Sequence, residues 1–112
     1  MTLNECRELL VGRWVVESEE PAETVEFFNV VVSDLMSDVL VSSHDTFILV
    51  TSLNSEQVVR TADIVDAAAI VLTNGKEPQP ALRNLARTHG IPVIATAFST
   101  FDACRALARC RE

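Results

Sequence analysis

Three short apolar runs decide how this chain folds: Thr46-Phe-Ile-Leu-Val-Thr51, Ala69-Ile-Val-Leu-Thr73 and Pro92-Val-Ile-Ala-Thr96. Phe47, Ile70 and Val93 recur every 23 residues, and each run ends in threonine. A polar turn and an amphipathic stretch follow each run. That interval suits a strand, a crossover helix and the next parallel strand. Ser55 is expected to cap a helix ending near Asp66, with Val58, Val59, Ala62 and Val65 inward. Glu56, Arg60 and Asp63 can pair along its outside. Pro80 suits the first turn of the next helix, which buries Leu82, Leu85 and Ala86 and stops at Gly90 in a left-handed conformation. Ser99 with Asp102 resembles a capping box at the start of the last helix, whose Ala103, Cys104 and Leu107 face inward.

Outward from this core, Thr2-Leu-Asn-Glu5 is a capping-box pattern for a helix running to about Leu10 and stopping near Gly12. Trp14–Val16 reads as a short strand, and the acidic stretch from Glu17 to Glu23, with Pro21, as an exposed loop. Val25 to Val32 is a continuous β-prone run and is expected to form one largely buried strand. In Ser33-Asp-Leu-Met-Ser-Asp-Val-Leu40, Ser33 or Asp34 would cap a short helix with Leu35, Met36, Val39 and Leu40 as its apolar face. Asp34 and Asp38 would then share the opposite face, four residues apart and mildly repelling. That pair suits a cation, a partner's basic group or a hydroxylated ligand; it also suits an N-cap beside a solvated acid. Ser42–Asp45 reads as a turn, with His44 a surface residue.

The chain of 112 residues is expected to be one domain, residues 1–112, with 48% hydrophobic and 22% charged residues as in ordinary globular proteins. No apolar run reaches the roughly 18 residues of a membrane span. The N-terminus lacks the pattern of a signal peptide, so the expected location is the cytoplasm. Cys6, Cys104 and Cys110 show neither a disulfide framework nor a zinc spacing. The net charge of −7 is uneven: residues 1–66 hold thirteen acidic and three basic groups, residues 67–112 three acidic and six basic. Without a basic tract, nucleic-acid binding is not expected. A two-signed surface suits self-association, docking on a partner, or plain solvation.

Right-handed crossovers would bring the C-terminal ends of the three strands to one edge of a mostly parallel sheet with helices on both faces. Thr51, Thr73, Asn74, Gly75 and Thr96 then gather on one rim, close to the helix starts at Ser55 and Ser99. Helix N-termini favour anions, and open α/β sheets usually bind ligands outside the strand ends. The rim is therefore the candidate site for a small polar or anionic ligand, although threonines at strand ends are also ordinary fold-makers. Lys76, the only lysine, sits just beyond. There is no phosphate-cradling GxxxxGK[ST], no GxSxG and no metal-ligand spacing, so no cofactor, metal or catalytic activity is expected.

Val32-Ser-Asp-Leu-Met-Ser-Asp-Val39, followed by Ala67-Ala-Ala-Ile-Val-Leu-Thr-Asn-Gly-Lys-Glu-Pro78, resembles the DRTGG domain family. Gly90-Ile-Pro-Val-Ile-Ala-Thr96 and the helix start at Ser99 also fit, and the resemblance spans roughly Glu26 to Leu107. It looks closest to small stand-alone members often encoded near iron-only hydrogenase or redox-complex genes. The resemblance implies an α/β fold like the N-terminal domain of HPr kinase/phosphorylase, acting as a regulatory or dimerising module. A homodimer with a small-molecule effector at the rim is the first expectation. The second is an accessory factor of a redox enzyme that docks through Asp34 and Asp38. The chain contains no Asp-Arg and no Gly-Gly dipeptide, so the name-giving motif is missing.

Overall fold

The threonine-ended runs do become parallel strands. In the computed structural model, which describes residues 1–41 and 44–108, the chain runs α1 (Leu3–Leu9), β1 (Arg13–Val16), β2 (Asn29–Val32), α2 (Met36–Leu40), β3 (Phe47–Thr51), α3 (Gln57–Val65), β4 (Ala69–Leu72), α4 (Pro80–His89), β5 (Val93–Ala95) and α5 (Thr100–Leu107). The strands form one sheet in the order β1-β5-β4-β3-β2. β2 to β5 are parallel, and β1 joins β5 antiparallel.

The 23-residue spacing is also the register between β4 and β5, where Ile70 lies opposite Val93. Between β3 and β4 the register slips by two, setting Leu49 rather than Phe47 opposite Ile70. Because side chains alternate with period two, a slip of two leaves both faces intact. Phe47, Leu49, Ile70, Leu72, Val93 and Ala95 thus share one face, packed against residues of α2, α3 and α4. Ile48, Val50, Ala69, Val71 and Ile94 share the other, packed against α1 and α5. Each crossover from β2 to β5 steps in the same direction across the sheet, so its helix falls on the same side. After β5 the chain returns to the face that α1 covers.

Several local signals hold. Thr2 accepts the Glu5 N–H at 3.1 Å while Glu5 Oε1 accepts the Thr2 N–H at 2.9 Å, a complete capping box. Pro80 occupies the first turn of α4 and Gly90 its left-handed stop at φ 66°. α3 ends at Asp66, also left-handed. Glu56 pairs with Arg60 at 3.0 Å, whereas Asp63 lies 3.7 Å from His89 instead.

Others require correction. The run from Val25 to Val32 is two segments, not one buried strand. Val25–Phe27 pairs with the N-terminus through Leu3 N–H to Val25 O and Phe27 N–H to Met1 O, both 2.9 Å. The Phe28 and Asn29 amides then both reach Thr46 O, which breaks the alternation, and only Asn29–Val32 joins the sheet. That strand lies at the edge and leaves Val32 exposed. Neither Ser33 nor Asp34 caps α2; its N-cap is Leu35, without a side-chain bond. Of its expected apolar face, Met36 and Val39 are buried while Leu35 and Leu40 are exposed. Ser55 gives α3 its carbonyl, to the Val58 N–H, rather than a hydroxyl cap. In α5, Ala103 and Leu107 are buried but Cys104 only half so. Cys6 is fully buried between α1 and the sheet. Ser42, Ser43, Arg109 and Cys110 lie outside the described residues.

Candidate functional site

Thr51, Thr73 and Thr96 gather at the carboxyl ends of the strands, as expected, but they are buried at 0%, 0% and 3% exposure. Each hydroxyl has an internal partner. Thr51 Oγ1 donates to Asp34 Oδ1 at 2.9 Å and accepts the Leu53 N–H at 3.2 Å. Thr96 Oγ1 donates to Leu10 O at 2.6 Å and accepts the Phe98 N–H at 3.1 Å. The repeated threonine therefore does repeated work: its hydroxyl turns the chain by taking the amide two residues on, and ties that turn to a neighbouring segment. Thr73 differs: its Oγ1 is hydrogen-bonded to Thr100 Oγ1 at 2.7 Å, where either hydroxyl can donate.

The loops after β4 and β5 leave in opposite directions, one to α4 and the other to α5 on the opposite face. Such divergence opens a crevice in α/β sheets. Here the turn after β4 lies across that mouth. Asn74 and Gly75 are both left-handed, at φ 65° and 66°, a conformation glycine and asparagine adopt at least cost. This lets the Asn74 N–H reach Phe98 O at 2.7 Å and the Gly75 N–H reach Thr96 O at 3.0 Å. Asn74 Nδ2 donates to Thr100 Oγ1 at 3.3 Å. Ser99 caps α5 by accepting the Asp102 N–H at 3.1 Å; Asp102 itself lies 3.7 Å from Arg105. Thr73, Asn74, Gly75 and Ser99 are thus brought together. Thr51 stands one strand away, and Thr96 turns toward α1. The exposed polar groups at the mouth are Asn74, Gly75, Lys76 and Ser99, and a side chain on Gly75 would meet open space.

Asp34 belongs to this rim. It precedes α2, so it does not share a helix face with Asp38, which remains exposed on α2. Its carboxylate accepts bonds from Thr51 Oγ1, from the Ser52 N–H at 2.7 Å and from Ser52 Oγ at 2.6 Å. The Ser52 hydroxyl and amide bonds hold it below the usual aspartate range, with the Lys76 charge assisting. Further along, Asn54 Nδ2 donates to Glu77 O at 2.6 Å, and Arg13 pairs with Glu77 at 2.9 Å. Ser52, Asn54 and Thr100 were not marked by sequence reasoning. For Ser52 the available signal is a polar residue directly after the strand-ending Thr51; Asn54 and Thr100 stand three and four residues beyond their threonines and carry no such mark. Among the described residues no three His, Cys, Asp or Glu side chains are grouped to hold a metal, and no helix is long and apolar enough to cross a membrane. His44 is exposed, its ring 6.1 Å from that of Phe47.

The DRTGG domain profile matches residues 7–110. In fold, the chain is similar to the crystal structure of the CBS and DRTGG domains of the regulatory region of Clostridium perfringens pyrophosphatase, complexed with its activator diadenosine tetraphosphate. The TM-score is 0.74 at 19% identity, over 98% of this chain and 47% of that one. The chain thus spans about half of the chain it matches. No curated protein sequence matches it.

Proposed function

The chain belongs to the DRTGG domain family, and we propose that it is a non-catalytic regulatory module binding a small polar or anionic ligand where β4 and β5 end. The observation that carries this reading is the Asn74–Gly75 turn laid across the mouth between the two diverging loops. The hydroxyls beneath it are already engaged inside the fold, Thr73 with Thr100 and Thr96 with the Leu10 carbonyl, and none is paired with a base that would activate it. The Ser52 hydroxyl and amide hold the Asp34 carboxyl below its ordinary range, away from the range a general base needs near neutral pH. What faces solvent is suited to binding: the Lys76 ammonium, the Asn74 amide and the first turn of α5. A ligand that replaced the Asn74 or Gly75 amide bonds would shift the lead-in to α4 and so pass its presence on.

Nucleotides are the first class to try, because the similar regulatory region is complexed with a dinucleotide activator. A thermal-shift screen with nucleotides, phosphorylated metabolites and inorganic phosphate tests the reading. One class should stabilise the chain, by about 2.7 kcal/mol at a hundredfold excess over Kd. Lys76→Glu, at an exposed position, should abolish that gain while lowering the Tm of the free protein only slightly, through its charge near Asp34. Absence of stabilisation across the screen, or stabilisation that Lys76→Glu leaves intact, overturns it.

A further inference from the structure

We propose that the outer edge of β2, with the apolar groove beside α5, is a docking site for an extended basic-and-apolar segment of another protein, which adds to the sheet as a sixth strand. The groove exists because one face is short of helices. Helices pack about 8–10 Å apart and strands about 4.8 Å apart, so a helix covers roughly two strands. α2, α3 and α4 cover one face of the five-stranded sheet, while α1 and α5 must cover the other. Among the described residues, the parallel strand least covered on that face is β2. Val32 is 42% exposed and points to the same side as half-buried Val30, and Phe28 just before the strand is 56% exposed. Val30 and Val32 meet Cys104, Leu107 and Ala108 around a shallow apolar hollow of about 120 Å³. Phe101, one helical turn before Cys104, is 73% exposed.

Among the described residues, the backbone of this edge has no partner strand. β2 ends the strand order, and the Ser33 and Asn29 amides point to β3, which leaves the N–H and C=O groups of Val30 and Val32 facing outward. Edge strands are normally blunted by lysine, proline, a bulge or a cover. The opposite edge, β1, carries Arg13 and a register break between Trp14 and Val16. Asn29-Val-Val-Val32 has no lysine and no proline, and its register with β3 is unbroken.

Charge selects the occupant. From residue 14 to residue 59 there is no Lys or Arg and there are nine acidic residues. Glu26 and Asp34 flank the strand, with Asp38 and Asp45 on the following segments. A second copy is a poor fit. Antiparallel pairing of Val30 with Val32 of that copy sets Phe28 opposite its Asp34 and Glu26 on the neighbouring diagonal, like charge near like charge with no cation between. An alternating segment with apolar residues over the groove and Lys or Arg on the flanks satisfies both the apolar and the acidic features.

The test uses a fluorescein-labelled ten-residue peptide alternating lysine and valine, with a glutamate–valine peptide as control. Anisotropy should show the basic peptide binding, at least tenfold more weakly at 0.5 M than at 0.05 M salt, and the acidic one not binding. Val32→Lys should weaken binding at least tenfold. Backbone amide shifts should cluster in residues 28–32 and 101–108. Failure to bind, binding indifferent to Val32→Lys, or shifts centred on the acidic loop from Glu17 to Glu23 overturns the proposal. So does a Val32-dependent dimer in light scattering, which would make a second copy the occupant.

Discussion

The rim above the parallel strands and the outer edge of β2 both face solvent, but they are finished in opposite ways. At the rim nearly every polar group is tied to another segment: Thr51 to Asp34, Thr73 to Thr100, Thr96 to Leu10, Asn54 to Glu77. At the edge, among the described residues, backbone polar groups and apolar side chains stand without an equivalent closure. The difference teaches where a change in sequence will be felt as stability and where as recognition. A closed network holds loops in place; an open edge costs the fold little and waits for a partner.

The sharpest way to break this contrast is Thr96→Val. It keeps shape but strands the buried Leu10 carbonyl and the Phe98 amide, and should cost about 2–3 kcal/mol in urea unfolding. Asp34→Asn should cost less, about 1 kcal/mol, because the site is solvent-accessible and screened. Its signature is pH dependence. A carboxylate held below its ordinary value of 3.8 contributes stability fully present above that value and lost as pH falls through its lower folded pKa. The gap between wild type and Asp34→Asn should therefore be constant near neutral pH and close under strong acid. If the gap widens with acid, the hydrogen-bonded carboxylate is misassigned. On the other side, Val32→Thr should change stability by less than about 0.5 kcal/mol while weakening capture of the lysine–valine peptide. A large loss of stability there would show that the edge is part of the fold's own closure.

Much of the fold was legible because the deciding signals are local. The 23-residue repeat, the Thr2–Glu5 capping box, Pro80 and Gly90 act within one turn or one unit, and the structure uses each of them. Val25 to Val32 misled because β-propensity does not record a change of partner. The chain leaves the N-terminal segment for β3 between Phe27 and Phe28, and no residue announces it. Asp34 misled for a related reason: its spacing from Asp38 is helical, but the helix begins two residues later and the carboxylate closes the end of β3. The rim's location could be derived from handedness alone. The partners of its hydroxyls could not, since Thr96 meets Leu10 across 86 positions and Thr73 meets Thr100 across 27. Such pairs are products of the assembled sheet.

The two regions can be read together in one titration, following backbone amides as ATP and diadenosine tetraphosphate are added in turn. The regulatory reading predicts saturable shifts at Asn74, Gly75, Lys76 and the first turn of α5, with residues 28–32 silent. No saturable shift with either nucleotide, or shifts centred on residues 28–32 while the Asn74–Gly75 turn stays still, would contradict it.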